Sequence, residues 1–516
     1  MDVALIYVDE DFKAFGLRCI SSTLKKAGHR TRLILLKSKE DRYSKKTLAE
    51  IADCVRGCEL AGISCLSRAS GKAVQVLDAI RPLVGKTAWG GIYATLAPGQ
   101  CAEHADVVCR GEGEGFILDF VDKLEKGEPW QDIPNAAYFE NGDLKLNAIR
   151  PMIPDLDVLP MMDFGSGDEY HLEDGHLVRI DPATVKSDMV SFNGTRGCDF
   201  FCTYCSNAKQ RELYGTRGRY ARRLSIGEYI RQLEELKRIF PGVKCFNLYD
   251  EDFFARNTGE IAQFADAYTE RIGLPFECMV SPVMLNREKM ECLVKAGLWR
   301  INMGIESGSE RTKKEVYNRH MSNDRVMEAA RIINRHPHVI PVYFFIIGNP
   351  YETSEDLLAT IRFIRDLPQP FFLRTYNLVF FLGSLLYDSA VRDGLIAGIE
   401  DSGYDLDFLS GLNYGRHAWK KKNLYLNGLL YLMSGQIGRR RLEFVPRAWV
   451  DFLIQPGVVA FNDKHEGLIK GLIRFKTSAF KVRHAAASLV KSWLEDPTSV
   501  YHIKEKLTGG LKKRSV

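Results

Sequence analysis

Residues 340–348 read IPVYFFIIG, and residues 354–367 after them show the apolar periodicity of an amphipathic helix. Similar strand-like runs, separated by helical runs, occur at 190–196, 244–250, 276–281, 300–306, 340–348 and 371–378. Strands that are apolar along their whole length are typical of parallel sheets whose faces are covered by helices. The pattern predicts a partial (β/α)6 barrel resembling a TIM barrel, with catalytic groups at the carboxyl ends of its strands.

The first 127 residues also alternate strands and helices. Strands are predicted at 3–8, 31–36, 60–66, 86–91 and 106–109. This alternation predicts a flavodoxin-like, Rossmann-type α/β domain with a parallel, doubly wound sheet. Ligands of such sheets bind at the carboxyl ends of the strands, where this chain carries several glycines. Any one of these glycines alone is more often an ordinary turn residue.

Two further regions complete the predicted organisation. Residues 128–187 are rich in Pro, Asp and Gly and are expected to be an irregular linker before the barrel at 188–390. Residues 391–516 are expected to form a helical, basic C-terminal domain. Residues 411–516 contain 20 Lys and Arg against 7 Asp and Glu, whereas the rest of the chain has 51 against 59. This local excess indicates an acidic partner surface, either anionic lipid headgroups or nucleic acid.

Composition restricts the class of protein. A chain of 516 residues with 27% charged and 45% hydrophobic residues is typical of a globular protein of about three domains. The longest apolar stretch without charge, 423–438, is shorter than the ~20 residues of a membrane-spanning helix. Residues 1–8 lack the pattern of a signal peptide, so a cytoplasmic location is expected. The 12 cysteines are then expected to be buried, metal-binding or catalytic rather than disulfide-bonded.

Three cysteines, Cys198, Cys202 and Cys205, follow the first strand of the predicted barrel. Their spacing lets them converge from one loop on one inorganic centre, and thiolates suit zinc or iron–sulfur clusters. A structural zinc site is normally closed by a fourth Cys or His, whereas the next cysteine, Cys245, lies on a predicted strand. A [4Fe-4S] cluster with three protein ligands leaves one iron open, so the spacing favours a cluster.

The Cys-x3-Cys-x2-Cys spacing in this position resembles the signature of the radical S-adenosylmethionine (SAM) superfamily. The resemblance implies that the amino and carboxylate groups of SAM chelate the open iron of a [4Fe-4S] cluster. It also implies that one electron from the cluster cleaves the sulfonium to a 5′-deoxyadenosyl radical. Tyr204 matches the aromatic residue that lies beside the adenine in this superfamily.

Later strand ends carry further motifs of the same superfamily, in the expected order. The matched residues are Asn247, Asp250, Gly304, Glu306, Ser307 and Gly348. The resemblance implies that Asn247 and Asp250 contact the methionine amine, that Glu306 in the Gly-Ile-Glu-Ser-Gly segment helps to bind SAM, and that Gly348 lies near the adenine. A single acid of this kind is more often a helix cap or a solvated loop charge, so the inference depends on the ordered set.

The first domain resembles the cobalamin-binding domain that precedes the barrel in one branch of the superfamily. The matched positions are Ser64, Leu66, Gly90, Gly91, Gly111 and Glu112. Well-known cobalamin domains carry Asp-x-His-x-x-Gly after the first strand, whereas residues 9–16 read DEDFKAFG here. No histidine of this loop can ligate cobalt. The corrin is then bound without that ligand, or the fold has been kept and the cofactor lost.

The resemblance implies a cobalamin-dependent methyltransferase that acts on an unactivated carbon. The radical would remove a hydrogen from the substrate, and the carbon radical would take a methyl group from methylcobalamin, which a second SAM regenerates. One alternative is a radical oxidative cyclase, or another radical SAM oxidoreductase that transfers no methyl group. Another is a non-catalytic lipid- or corrin-binding protein. Expected partners are a small-molecule substrate and an electron donor such as flavodoxin or ferredoxin.

The run from 468 to 494 predicts a basic amphipathic helix. Leu468, Ile469, Leu472 and Ile473 alternate with lysines and arginines. Such a helix either packs against the barrel or contacts anionic membranes peripherally. A hydrophobic substrate, such as a lipid or terpenoid, would suit a membrane location. Nucleic acid is not expected, because the basic clusters lack interleaved aromatic residues in a recognisable binding fold.

Overall fold

The computed structural model contains two large sheets, the first built from residues before 180 and the second from residues after 188, and a two-stranded ribbon that interrupts the second sheet in sequence. The structure describes residues 1–8, 13–38, 40–165, 167–181, 185, 187–215, 218–403, 422–437, 447–464, 469–472 and 476.

The N-terminal sheet has nine strands. They are β1 (Asp2–Val8), β2 (Arg30–Leu36), β3 (Leu60–Cys65), β4 (Lys86–Gly90), β5 (Val107–Cys109), β6 (Ala136–Glu140), β7 (Asp143–Leu146), β8 (Glu169–Glu173) and β9 (His176–Arg179). Their order is β7-β6-β5-β4-β3-β1-β2-β8-β9. The first five strands are parallel, and their order is that of flavodoxin-like sheets. The α/β class expected for this region is confirmed.

Both faces of this sheet are buried beneath helices. These are α1 (Phe15–Lys26), α2 (Lys45–Val55), α3 (Ser70–Ile80), α4 (Ile92–Leu96), α5 (Pro98–Ala102) and α6 (Glu114–Lys126). Along β1, Ala4 and Ile6 enter the core beneath α2 to α5, while Val3 and Leu5 enter the core beneath α1 and α6. Successive side chains of a strand point to opposite faces, so a strand buried on both faces is apolar throughout.

Residues 128–187, expected to be irregular, contain four of the nine strands. Strands β6 and β7 extend the sheet beyond β5 as antiparallel neighbours, and β8 pairs parallel with β2. All four strands are short, and β7 to β9 contain many polar residues, so they carry little of the apolar pattern that predicts a strand. Strand β8 is held by a buried ion pair of 2.7 Å between Arg18 and Glu169, a contact with no local signal in the sequence.

The remaining strands belong to the barrel and to the ribbon inserted after its first strand. They are β10 (Met189–Phe192), β11 (Thr195–Arg196), β12 (Arg222–Arg223), β13 (Cys245–Leu248), β14 (Phe276–Val280), β15 (Leu298–Glu306), β16 (Ile340–Ile347), β17 (Phe371–Asn377) and β18 (Gly435–Ile437). Strand β10 and strands β13 to β17 are parallel neighbours in chain order, and β18 joins β17 antiparallel. The six parallel strands confirm the partial barrel.

Ten helices of the described chain accompany the barrel. They are α7 (Ser206–Tyr214), α8 (Ile226–Ile239), α9 (Thr258–Arg271), α10 (Arg287–Lys295), α11 (Asn323–Asn334), α12 (Ser354–Asp366), α13 (Leu385–Arg392), α14 (Leu424–Met433), α15 (Arg447–Leu453) and α16 (Pro456–Lys464). Helices α9 and α12 each begin with a capping box, formed by Asn257 with Glu260 and by Thr353 with Asp356. These reciprocal hydrogen bonds define where both helices start.

The first predicted barrel strand, 190–196, is divided in the structure. A Cβ atom at Gly194 would lie 2.2 Å from the Tyr229 ring, so the backbone packs against that ring after β10. The Gly194 N–H donates to Asp250 Oδ1 at 2.8 Å. The chain then leaves the barrel sheet, and β11 pairs antiparallel with β12. This break directs the next residues, which include the three cysteines, away from the barrel sheet.

The described part of the C-terminal region packs onto the barrel. Helix α14 is almost entirely buried in the barrel core, and Asn427 on it accepts a hydrogen bond from the Gly348 N–H at 2.7 Å. Together with β18, this helix makes the beginning of the region continuous with the barrel instead of a separate body. Among the described helices, none is long and apolar enough to cross a membrane.

The amphipathic run predicted from residue 468 is only partly described. Ile469 is buried in the barrel core, whereas Leu472 is 45% exposed. Leu468 and Ile473 lie outside the described residues. Lys476 is also buried, and its ammonium group donates to the carbonyl oxygens of Tyr431, in the last turn of α14, and of Ser434, which caps that helix. Part of the predicted apolar stripe therefore packs against the barrel.

Candidate cluster and cofactor site

Cys198, Cys202 and Cys205 lie in the loop between β11 and α7. Cys202 is buried, and the other two are half-buried. The Cys205 N–H donates to the Cys202 carbonyl oxygen at 3.1 Å, and Cys205 is the N-cap of α7. A helix N-terminus favours negative charge, so this turn brings at least one thiol to a position suited to a thiolate.

The environment of the thiols is compatible with metal binding. Burial, with smaller contributions from Glu251 and the neighbouring cysteines, raises the pKa of both Cys198 and Cys205 to about 12. Such thiols keep their protons until a metal displaces them. Asn207 donates to Cys205 Sγ at 3.7 Å, and Arg319 donates to Cys202 Sγ at 3.5 Å. Hydrogen bonds of this kind stabilise ligating thiolates.

Within the described residues, no group of three or more His, Cys, Asp or Glu side chains is arranged to hold a metal ion. The thiolate ligands of a four-iron cluster lie further apart than the ligands of a single metal ion. Three cysteines that are too far apart for one ion can therefore still hold a cluster. Three soft thiols on one short loop, next to two N–H donors, fit a [4Fe-4S] cluster. Cys198, Cys202 and Cys205 would hold it.

A second group of side chains forms at the end of β15. Glu306 has a left-handed backbone conformation with φ of 71°, which is uncommon outside glycine and concentrated at functional sites. Burial raises the pKa of its carboxyl group, while Arg319 and a hydrogen bond with Tyr204 oppose the rise. A Cβ atom at Gly304 would lie 2.5 Å from Glu306 Oε1. The structure thus brings Tyr204, Gly304 and Glu306 together.

Arg319, which the sequence does not single out, connects this group with the cysteine loop. In addition to its contact with Cys202, Arg319 donates a hydrogen bond from Nη2 to the Gly304 carbonyl oxygen at 2.8 Å. It follows a π-helical turn at Thr312–Val316, and such turns are frequent at functional sites. The only local signal was a cation shortly after the Gly-Ile-Glu-Ser-Gly motif, and such cations are common in loops.

Asp250, expected to contact the amine of SAM, is fully buried and holds the barrel together. Its Oδ1 accepts from the Gly194 N–H at 2.8 Å and from the Tyr229 hydroxyl at 3.3 Å. Its Oδ2 forms an ion pair with Arg256 at 2.8 Å. These contacts connect the ends of β10 and β13. The side chain is therefore already engaged by protein groups.

The neighbouring Glu251 instead faces a cavity beside the cysteines. The Glu251 side chain is surrounded by protein atoms, but solvent reaches it through the cavity. Burial raises its pKa, opposed by a hydrogen bond with Asn207. The expected contact Asn247 is buried and donates to the Ser191 hydroxyl at 3.3 Å. Sequence alone does not distinguish adjacent acids, because only the path of the backbone decides which one points toward the cysteines.

Two other expected SAM-binding residues stabilise strand ends. The Ser307 hydroxyl is buried and bonded to Glu352 and Thr360, each at 3.1 Å. Gly348 has φ of 73° and donates its N–H to Asn427. No described contact connects either residue with the cysteine loop. Their assignment to SAM stays a prediction.

A cavity of about 440 Å³ lies between the N-terminal sheet and the start of the barrel. Its walls include the expected cobalamin residues Ser64, Gly90, Gly91, Gly111 and Glu112. On the barrel side, it is lined by Gly197, Asn207 and Glu251, which are next to the cysteine loop. Leu66 is not among the lining residues and is 37% exposed. The cavity therefore joins the two predicted cofactor regions.

Glycines keep the N-terminal wall of this cavity open. A Cβ atom would lie 2.4 Å from the Ser64 hydroxyl at Gly91, and 2.4 Å from the Tyr214 hydroxyl at Gly111. Both glycines have positive φ. None of the described residues lining the cavity is a histidine. Gly91 and Gly111 would leave room for a corrin at this wall, and none of the lining side chains that the structure describes would supply an imidazole ligand.

Buried ion pairs join the two sides of the cavity. Arg196 on β11 pairs with Glu114 and lies 3.3 Å from Glu112. Arg222 on β12 pairs with Glu112 at 2.8 Å, and the Glu112 N–H donates to the Tyr214 hydroxyl at 2.8 Å. These contacts fix the loop after β5 to the ribbon that leads directly into the first cysteine.

Comparison with known families agrees with this geometry. Residues 192–364 match the radical SAM superfamily, and residues 1–121 match the B12 binding domain. The chain therefore carries a radical SAM domain, preceded by a B12-binding domain.

Individual relatives are distant. An uncharacterized methyltransferase of Pyrococcus horikoshii is 24% identical over 396 residues, covering 75% of this chain and 76% of that protein. The anaerobic magnesium-protoporphyrin IX monomethyl ester cyclase of Cereibacter sphaeroides is 26% identical over 291 residues, covering 54% of this chain and 44% of the cyclase. The radical SAM methyltransferase TsrM of Kitasatospora setae, solved with cobalamin and a [4Fe-4S] cluster, has a TM-score of 0.62 and 14% identity over 76% of this chain and 75% of TsrM. The similarity to TsrM shows a shared fold.

Proposed function

We propose that this protein is a cobalamin-dependent radical SAM methyltransferase that methylates an unactivated carbon of a small molecule. The observation that carries the proposal is the cavity shared by the glycine-rich strand ends of the B12-binding domain and by residues beside the cysteine loop. A corrin held at Gly91 and Gly111 would lie next to SAM held at that loop. A protein that only bound a corrin would not need three cysteines there.

When bound, the cluster supplies one electron to SAM and the corrin carries the methyl group. The chain's own residues hold and orient these groups. Cys198, Cys202 and Cys205 would ligate the cluster, while Glu306 and Tyr204 offer hydrogen-bonding groups to the nucleoside of SAM. Glu251, which faces the cavity, would accept a hydrogen bond from the amine of SAM.

Methyl transfer is favoured over oxidative cyclisation by the extent of the similarity. The likeness to the methyltransferase relative extends over 75% of this chain, whereas the likeness to the cyclase covers 54% of it. The B12-binding match over residues 1–121 supports the same choice, because a corrin can carry a methyl group to the substrate.

The decisive experiment is anaerobic reconstitution with iron and sulfide, followed by incubation with SAM, a reductant and cobalamin. Mass spectrometry should detect 5′-deoxyadenosine from SAM cleavage and S-adenosylhomocysteine from methylation of cobalamin. The triple change of Cys198, Cys202 and Cys205 to Ala should abolish 5′-deoxyadenosine, whereas Cys292→Ala, a half-buried cysteine on α10, should not. A bound zinc, or products that do not depend on cobalamin, would contradict the proposal.

We further propose that a flavodoxin or ferredoxin supplies the electron. Helix α7, which begins at the last cysteine of the loop, carries Arg211 on a half-exposed surface, where Lys209 already pairs with Glu212 and Asp388. Acidic electron carriers bind such surfaces through charge, so their association should weaken with salt. Cluster reduction by reduced flavodoxin, followed optically at low and high ionic strength, tests this; a rate independent of salt would contradict it.

The C-terminal region is proposed to contact anionic membranes peripherally. Residues 411–516 carry the positive charge for such contact. Three aromatic side chains there are strongly exposed, Trp449 at 63% and Phe452 at 58% on α15, and Phe461 at 59% on α16. Aromatic side chains beside cations are typical of interfacial membrane contacts. These three aromatic residues could supply the apolar surface for membrane contact. Ile469 cannot, because it is buried in the core.

A further inference from the structure

The inner face of the barrel sheet carries charges that the cluster and corrin sites do not use. On β15, Ile301 and Met303 enter the core between the strands and the helices, so Arg300 between its apolar neighbours faces the opposite side. On β17, Leu373 enters the same core, and Arg374 faces inward by the same alternation. The barrel interior therefore contains two arginines.

The charge of Arg300 is already neutralised. It forms an ion pair with Glu277 on β14, and its guanidinium lies 4.8 Å from the centre of the Trp299 ring. The side chain of Glu277 is 4% exposed. A carboxylate so deeply buried requires its partner, so Arg300 is not free to bind another anion.

Arg374 is different, because it is exposed and, in the described part of the chain, pairs with no carboxylate of its own. Its contact there is a hydrogen bond with Tyr376. Its charge and that of Lys13 both act on Glu277, which is already paired with Arg300. Lys13 comes from the N-terminal domain and lies 5.0 Å from the centre of the Tyr249 ring. Cations thus outnumber acids around Glu277.

An apolar surface lies beside this cation. Phe344 is level with Arg374 in the register of β16 and β17, and its ring lies 5.4 Å from that of Tyr376. Phe344 and Phe372 pack against a small apolar cluster of Trp299, Ile340 and Val342. Trp299, Ile340 and Val342 are buried, so the accessible apolar surface beside this guanidinium consists of the half-buried rings of Phe344 and Tyr376.

We propose that Arg374 binds the anionic group of the substrate, a carboxylate or phosphate attached to an apolar body. The inference rests on the proposed function and narrows its substrate class to amphipathic anions. A guanidinium binds such groups through two parallel N–H donors, and the apolar surface accommodates the rest of the molecule. A neutral substrate would leave the charge of Arg374 without an anionic partner.

Two probes with one ring system test the inference. 1-Anilinonaphthalene-8-sulfonate is an aromatic anion, and N-phenyl-1-naphthylamine is the same ring system without the sulfonate. Equilibrium dialysis against the full chain, loaded with cluster and cobalamin, gives both affinities. We expect the anion to bind at least about 10-fold more tightly than the neutral probe, because a charged hydrogen bond contributes that much. Equal affinities would overturn the inference.

Variants locate the effect. Arg374→Gln should abolish the preference for the anion and leave the affinity for the neutral probe, whereas Arg374→Lys should keep part of the preference. The matched control is Arg331→Gln, which removes an exposed arginine on the outer helix α11 and should behave as the wild type. If Arg374→Gln keeps the full preference, the inference is wrong.

SAM binding separates this inference from the proposed function. If Arg374→Gln weakens SAM binding as much as binding of the anionic probe, Arg374 serves the carboxylate of SAM and the inference is overturned. If the loaded wild type forms no 5′-deoxyadenosine while the preference still depends on Arg374, the proposed function fails and the anion site stands.

Discussion

Arg319 shows how much of the site depends on a single side chain. It is the described residue that contacts both a cluster cysteine and the end of β15. Arg319→Met should lower SAM cleavage about 10- to 100-fold, the range found when supporting contacts of metal ligands are removed. Initial rates of 5′-deoxyadenosine formation measure the loss. Arg331→Met on α11 is the control, and equal rates in both variants would contradict a role for Arg319.

The close approach at Gly304 gives a second test at the residue scale. Gly304→Ala would place a methyl group 2.5 Å from Glu306 Oε1, so the carboxylate must move. We expect SAM affinity, measured by equilibrium dialysis, to fall about 10-fold, the loss of one charged hydrogen bond. Gly227→Ala, at a helical position with no such approach, should leave it unchanged. An unaffected Gly304 variant would remove Glu306 from the SAM site.

The buried network beneath β15, β16 and α12 belongs to the scale of elements. Burial raises the pKa of Glu352 to about 8 from an ordinary value of 4.5. The folded protein therefore holds this proton to higher pH than the unfolded chain. The free energy of unfolding should fall as pH rises from about 4.5 to about 8, by up to about 1.4 kcal/mol per pH unit.

Glu352→Gln keeps an acceptor for the Ser307 hydroxyl and removes the titrating group. Its unfolding free energy, measured with denaturant at pH 5 to 8, should depend less on pH than that of the wild type. Glu355→Gln, an exposed change in the first turn of α12, should keep the wild-type slope. Parallel curves for the wild type and Glu352→Gln would show that the carboxyl group is ionised throughout this range.

The ribbon of β11 and β12 supports a further prediction. Arg196→Gln would leave the buried Glu114 without its cation, which typically costs about 3–5 kcal/mol. Denaturant unfolding should show this loss, together with weaker binding of cobalamin. Adding Glu114→Gln removes the uncompensated charge and should restore part of the stability. If the double variant is less stable than Arg196→Gln alone, the ion pair is not the cause.

The strands that pack two apolar faces could be predicted from sequence, and the polar edge strands could not. The apolar runs of β1 to β5 and β13 to β17 repeat a local pattern, because burial on both faces requires it. Strand β8 depends on the Arg18 to Glu169 ion pair, which joins residues far apart in the chain. The same distinction applies to the site. The cysteine spacing is a local pattern and could be predicted, whereas the roles of Asp250 and Glu251 could not, because they depend on which side chain faces the cavity.

At the scale of the whole molecule, charge and exposed aromatics concentrate in the C-terminal region. Anionic vesicles should attract it by roughly 1 kcal/mol per basic residue near the surface, and burial of Trp449 and Phe452 should add a part that salt does not screen. Co-sedimentation should therefore persist in part at high salt. Trp449→Asp with Phe452→Asp should remove that part, whereas Val158→Asp, an equally exposed site outside the region, should not. Absence of sedimentation at low salt would contradict membrane contact.

The ion pairs between the loop after β5 and the ribbon limit how freely the two halves of this protein can be recombined. A chimera that takes its first 127 residues from a relative without acids at positions 112 and 114 would leave Arg196 and Arg222 buried and unmatched. The acceptor half would then misplace the ribbon that begins the cysteine loop. Modular exchange of the N-terminal half thus requires the two acids to be inherited together with it.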